Sequence, residues 1–199
     1  MNAHATNAYS AIEQRVVDQL RLFLGEEAPV VYERCGRSLL QLSSVARESA
    51  HPTYRLLAAG LNLATEALAE PMRSAPVFES PSRVKDYLKL HFAGQGHESF
   101  VVLYLNTRLH LIALQELFRG TLAHTSVHPR EVLRESLAHG AAAVILSHNH
   151  PSGLAEPSGA DELLTHTLVE ALKYIDVRVI DHIIVAGNNT CSMAEKGLV

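Results

Sequence analysis

The stretch that decides the reading is Ala141-Ala142-Ala143-Val144-Ile145-Leu146-Ser147-His148-Asn149-His150-Pro151-Ser152-Gly153, continued by Pro157-Ser158-Gly159-Ala160-Asp161. Residues 141–147 are short and almost wholly apolar, the pattern of a buried strand. His148 and His150 follow at its C-terminal end. Side chains alternate along a strand, so positions i and i+2 point to one face, and the two imidazoles can share one cation. Pro151 and Gly153 turn the chain out of the sheet. A long amphipathic helix then spans residues 158–174, and Asp161 lies in its first turn, able to aim back at the strand end.

Two histidines and one carboxylate form a usual catalytic zinc set, with the fourth tetrahedral position left for water. Zinc lowers the pKa of such a water from 15.7 to about 7, which makes hydroxide available at neutral pH. The same residues have plainer readings. A lone H-x-H is more often two ordinary histidines, and Ser158-x-x-Asp161 is also the signature of a helix capping box.

Working outward, helix and strand signals alternate. Ser80-Pro81 starts a helix ending near Phe92. Residues 99–105 (S-F-V-V-L-Y-L) read as a buried strand, and residues 109–118 as a second strand, antiparallel across Asn106-Thr107-Arg108. His128-Pro129 opens a short helix ending near His139-Gly140. Residues 177–186 form a last strand, and Gly187-Asn188-Asn189 a turn. The sequence predicts an α/β fold, a mixed sheet flanked by helices, over residues 80–199. Upstream, residues 1–8 read as a frayed tail, and helices are expected over residues 9–24, 29–45 and 52–68. Residues 1–70 therefore form a small helical extension, and residues 71–79, broken by Pro71 and Pro76, a linker.

The totals bound the function. With 199 residues, 47% hydrophobic and 19% charged, the chain can bury a core. The 17 Lys and Arg against 21 Asp and Glu give a net charge of -4, which offers no electrostatic support for binding DNA or RNA. Cys35 and Cys191 stand far apart and indicate neither a disulfide framework nor a cysteine zinc site. The N-terminal residues carry no signal-peptide pattern, and no apolar run approaches the ~20 residues of a membrane span. A soluble, cytoplasmic protein is expected.

The spacing H-x-H, seven residues, Ser, two residues, Asp resembles the JAMM (JAB1/MPN) metallopeptidase signature, with His148, His150, Ser158 and Asp161 filling every position. The wider set, H-N-H-P-S-G with P-S-x-x-D, G-T-L at Gly120–Leu122, H-P-R-E at His128–Glu131 and D-H-I-I-V at Asp181–Val185, resembles the RadC family over roughly residues 80–199. The resemblance implies a cytidine-deaminase-like JAB/MPN fold with Zn2+ at the strand end, held by His148, His150 and Asp161. It implies Ser158 as a hydrogen-bond donor to the tetrahedral intermediate, and an early glutamate that handles the water proton. Glu98 matches that position, and Glu131 is its rival. The other histidines have structural defaults. His182, beside Asp181, is expected in a hydrogen bond rather than in ligation, His166 at most behind the ligands, and His124 and His128 at the border of the site in sequence.

The resemblance implies a zinc-dependent metallopeptidase or isopeptidase acting on an unidentified protein or peptide. The alternative is a DNA-repair or recombination accessory protein with a structural or nuclease metal site. A non-catalytic scaffold is a third reading, disfavoured because every ligand position is filled. Many RadC relatives carry a helix-hairpin-helix whose glycine turn grips DNA phosphate. Here Ala50-His51-Pro52-Thr53-Tyr54 stands in that place, and without glycine backbone amides do not approach a phosphate closely. The N-terminal module is therefore expected to serve packing or homo-oligomer formation.

Overall fold

The structure, a computed structural model, describes residues 9–120 and 127–199. The expected tail at residues 1–8, Thr121 and Leu122 of the G-T-L string, and His124 lie outside the described residues. The chain divides into two compact units, one ending at Leu61 and the other beginning at Asn62.

The first unit is helical. Helix α1 (Ala11–Leu24) starts at Ser10, whose side chain forms a capping box with Glu13. The helix expected over residues 29–45 is instead two, α2 (Ala28–Arg34) and α3 (Leu39–Glu48). Gly36 and Arg37 both take left-handed backbone (φ 60° and 57°) between them. Arg37 is held there by Glu33 at 2.7 Å and Glu13 at 3.5 Å, and Ser38 caps α3 by accepting from the Gln41 N–H. Val17, Leu20, Tyr32, Leu42 and Leu57 lie in this unit's own core. None of residues 49–54 has a positive φ.

Helix α4 (Pro52–Ser74) corrects a second expectation. It does not stop near Leu68 but continues through Pro71. A proline inside a helix removes one backbone bond and costs about 3 kcal/mol, yet Ala69 and Met72, buried on either side of it, pack into the core of the second unit. Tertiary burial outweighs the local preference. The linker expected at residues 71–79 is correspondingly shorter. A 3-10 turn (Val77–Glu79) follows at once, and the buried Val77 donates its N–H to Leu109 O.

The second unit is built on a five-stranded sheet, in the order β2-β1-β3-β4-β5. The strands are β1 (Glu98–Leu105), β2 (Leu111–Gly120), β3 (Ala143–Asn149), β4 (Arg178–Ala186) and β5 (Asn189–Ser192). Among the described residues, only β3 and β4 pair in parallel; the other three pairings are antiparallel. The turn expected at Gly187-Asn188-Asn189 is present, and strand β5, which the sequence reading does not include, begins at its last residue. The strand pairs back on β4 through a tight Gly187-Asn188 hairpin in which Gly187 supplies a φ of 59°.

Alternation sorts the strand residues into two cores. Val101, Leu103, Leu105 and Ile145 face α5 (Pro81–Phe92), against Val84, Tyr87 and Leu88. Phe100, Val102, Tyr104, Val144 and Leu146 face α6 (Pro129–Ala138) and α7 (Gly159–Lys173), against Val132, Leu168 and Leu172. With both faces covered, β3 is buried along its whole length. The parallel β3-α7-β4 crossover brings the first turn of α7 to the C-terminal end of β3, where His148 stands.

Candidate metal centre

His148 is fully buried on the α7 face of β3, and His150 follows just beyond the strand with its N–H still bonded to Val185 O. The chain then turns. Gly153, in left-handed backbone (φ 87°), donates to His150 O, and this brings Leu154 O within 2.7 Å of His150 Nδ1. A carbonyl only accepts, so Nδ1 carries the hydrogen and Nε2 faces inward.

Asp161 arrives from the other side. Ser158 is the N-cap of α7, and the capping box is complete: Ser158 Oγ accepts from Asp161 N–H, and Asp161 Oδ2 accepts from Ser158 N–H at 2.7 Å. The same carboxylate reaches both histidines, with Oδ1 at 3.2 Å from His148 Nε2 and Oδ2 at 3.6 Å from His150 Nε2. The two readings of Ser158-x-x-Asp161 therefore hold together, because the cap is what aims the acid at the strand end. The two Nε2 atoms lie 2.9 Å apart. His148, His150 and Asp161 could hold a metal ion: each offers one ligand atom, all within 4.8 Å of one another.

The electrostatics agree. Burial opposes ionisation of Asp161, but hydrogen bonds from His148, His150 and Ser158 outweigh it and hold the carboxyl well below the usual range. The hydrogen bond with Asp161 raises His150 above the ordinary histidine value against the opposing effect of burial; Leu154 O and the charge of Glu98 add to the rise. A buried, ionised carboxylate beside two ring nitrogens is a site arranged for positive charge.

The structure places the other expected residues as follows. Ser158 is adjacent, but its hydroxyl hydrogen is directed to Asp161 Oδ2 at 2.6 Å. Glu98 is half-buried at the start of β1, two residues before Phe100, which pairs with His148. It thus shares the His148 face of the sheet. Glu131 is on α6, ion-paired with Arg130 at 3.3 Å and Arg134 at 2.6 Å. His166 is exposed, so it does not stand behind the ligands. His128 is exposed, with its ring edge-on to Phe118.

Three residues matter more than their sequence positions suggest. His182 is fully buried, its Nε2 2.8 Å from His148 Nδ1 and its Nδ1 2.6 Å from Thr165 Oγ1. Burial, reinforced by the charge of His148, pushes His182 well below the ordinary histidine range. Asn149, between the two candidate ligands, accepts from Ser99 N–H and donates to His97 O. The expected hydrogen bonding of His182 is met, though its ring does not use Asp181, which caps the backbone instead. Only the D-H pair in D-H-I-I-V hinted at His182; nothing in the sequence pointed to Thr165.

Comparison with known proteins bears on the same region. Residues 78–198 match the family described as RadC-like JAB domain. A UPF0758 protein of Acidovorax sp. (strain JS42) is 58% identical over 143 residues, covering 72% of this chain and 60% of that protein. UPF0758 proteins of Variovorax paradoxus (strain S110), 57% identical, and Nitrosomonas eutropha (strain DSM 101675 / C91 / Nm57), 50% identical, are covered over 64% and 65% of their lengths, by 72% and 73% of this chain. The chain thus spans less than two thirds of these relatives. The mixed sheet, the histidine pair at the end of β3 and the acid on α7 all fall inside the matched segment, and the chain belongs to the RadC-like JAB domain family.

Proposed function

We propose that the chain is a zinc-dependent hydrolase of amide bonds, of metallopeptidase or isopeptidase type. The observation that carries this reading is the convergence of His148, His150 and Asp161: the two Nε2 atoms lie 2.9 Å apart, with Asp161 Oδ1 3.2 Å from the first and Oδ2 3.6 Å from the second. A tetrahedral ion with bonds of about 2.0–2.1 Å spaces its ligand atoms roughly 3.3 Å apart, and the three side chains bring one donor atom each within 4.8 Å of one another. Two neutral imidazoles and one carboxylate also match zinc's preference for nitrogen and oxygen donors and leave one position open. When bound, zinc supplies a water of near-neutral pKa and polarises a carbonyl oxygen.

The chain's own groups do the rest. Glu98 takes the proton of the attacking water and passes it to the departing amine. It is favoured over Glu131 because its charge acts on His150, whereas Glu131 is held by two arginines. Ser158 hydrogen-bonds the oxygen on which negative charge develops, which requires its hydroxyl hydrogen to swing from Asp161 to the substrate.

The test is amide cleavage in an amine-blocked peptide library, with new amines identified by mass spectrometry. Zinc-loaded protein is expected to create them, and EDTA to abolish them. Absence of new amines with the zinc-loaded protein would contradict the reading.

A further inference from the structure

Resting on the metal-site reading above, we propose that His182 is a positioning residue: with Thr165 it fixes His148 in the tautomer whose Nε2 lone pair faces the metal. Thr165 Oγ1 lies 2.6 Å from Asp161 O. Two oxygens this close require a hydrogen between them, and a carbonyl has none, so the hydroxyl donates. Met193 Sδ, at 3.6 Å, is a more distant and weaker acceptor. The hydroxyl has no second hydrogen, so at 2.6 Å from His182 Nδ1 it accepts, and Nδ1 carries the hydrogen. A fully buried neutral imidazole has one N–H, which leaves His182 Nε2 an acceptor.

At 2.8 Å from it, His148 Nδ1 is then the donor, which leaves Nε2, the nitrogen facing Asp161, available as the ligand atom. The relay begins at the backbone carbonyl of Asp161 and ends at His148, so one side of the site sets the protonation pattern of the other. His150 reaches the same tautomer independently, through Leu154 O. Both histidines thus turn Nε2 toward Asp161, and with a metal bound each Nε2 would offer its lone pair to the ion while Nδ1 keeps its hydrogen. Partners that orient a metal-bound histidine in this way commonly alter metal affinity about 10–100-fold when removed.

The experiment is zinc affinity by competition with a chromophoric chelator, together with imidazole 15N NMR of the zinc-free protein. His182→Leu is expected to weaken zinc about 10–100-fold. His182→Gln, whose carboxamide oxygen can accept from His148 Nδ1–H, is expected to remain within about threefold of wild type by preserving that orienting bond. Thr165→Val, which frees the His182 tautomer with little change of volume, is expected to weaken zinc several-fold, and it serves if His182→Leu does not fold. NMR of the wild type is expected to show His148 protonated at Nδ1. The relay is overturned if His148 Nδ1 carries no hydrogen, or if folded His182→Leu and Thr165→Val bind zinc as tightly as wild type. Failure of the wild type to bind zinc would instead remove the metal-site reading itself.

Discussion

The carboxamide of Asn149 brackets Glu98. It accepts from the Ser99 N–H at 2.7 Å and donates to His97 O at 2.8 Å, so both peptide groups flanking Glu98 are tied to the residue between the two candidate ligands. Asn149→Ala is expected to keep zinc but to lower turnover by about 100-fold, the order of loss that a displacement near 1 Å produces. It also orphans the buried Ser99 N–H, at about 1–3 kcal/mol, visible as a lower melting temperature. Unchanged turnover in a folded variant would show that Glu98 needs no such anchor.

Glu98→Gln removes the proposed proton acceptor and preserves size. Zinc content and melting temperature are expected to stay at wild-type values, while turnover falls by about 10²–10⁴. Steady-state kinetics beside metal analysis checks this, and full activity would move the role to another group.

Ser158→Ala removes a helix cap and one donor to Asp161 together. A lost cap costs about 0.5–2 kcal/mol, so chemical denaturation is expected to show a shift of that size. Turnover should fall by more than the stability loss explains, since the same hydroxyl is proposed to serve the substrate oxygen. Ser158→Thr, which keeps cap and hydroxyl, is expected to restore most of both. A Ser158→Ala variant of wild-type turnover would confine the residue to capping.

Tyr104 offers a control away from the site. Its ring stacks on His139 at 4.4 Å, yet its buried hydroxyl has no partner among the described residues. Burial pushes this phenol above its ordinary range. Removing an unsatisfied buried hydroxyl relieves a penalty of order 1 kcal/mol, so Tyr104→Phe is expected to melt at or above the wild-type temperature with zinc binding intact.

How much of this was legible in sequence follows from the range of the forces involved. The strand 141–147, the i, i+2 histidines and the capped acid are local patterns, and they predicted the convergence at the strand end; that β3 and β4 pair in parallel depends on contacts distant in sequence. Gly36 and Ser38 also carried the signal for a helix break, which helical periodicity on either side obscured. Pro71 misled because its effect on the helix is overridden by Ala69 and Met72, whose burial depends on residues distant in sequence. Strand β5 was too short to show alternation. The His182–Thr165 relay joins residues 17 apart and Asn149 bonds residues about 50 away, contacts that no spacing rule encodes. Among the described residues, no helix is long and apolar enough to cross a membrane, in keeping with the apolar runs read from sequence.

The central claim is most directly tested by the metal content of the purified chain, measured by inductively coupled plasma mass spectrometry beside His148→Ala. About one zinc per chain is expected, the stoichiometry of a single mononuclear site, with loss of that zinc in the variant. Wild-type protein that takes up no zinc, or a His148→Ala variant that retains a full equivalent, would contradict it.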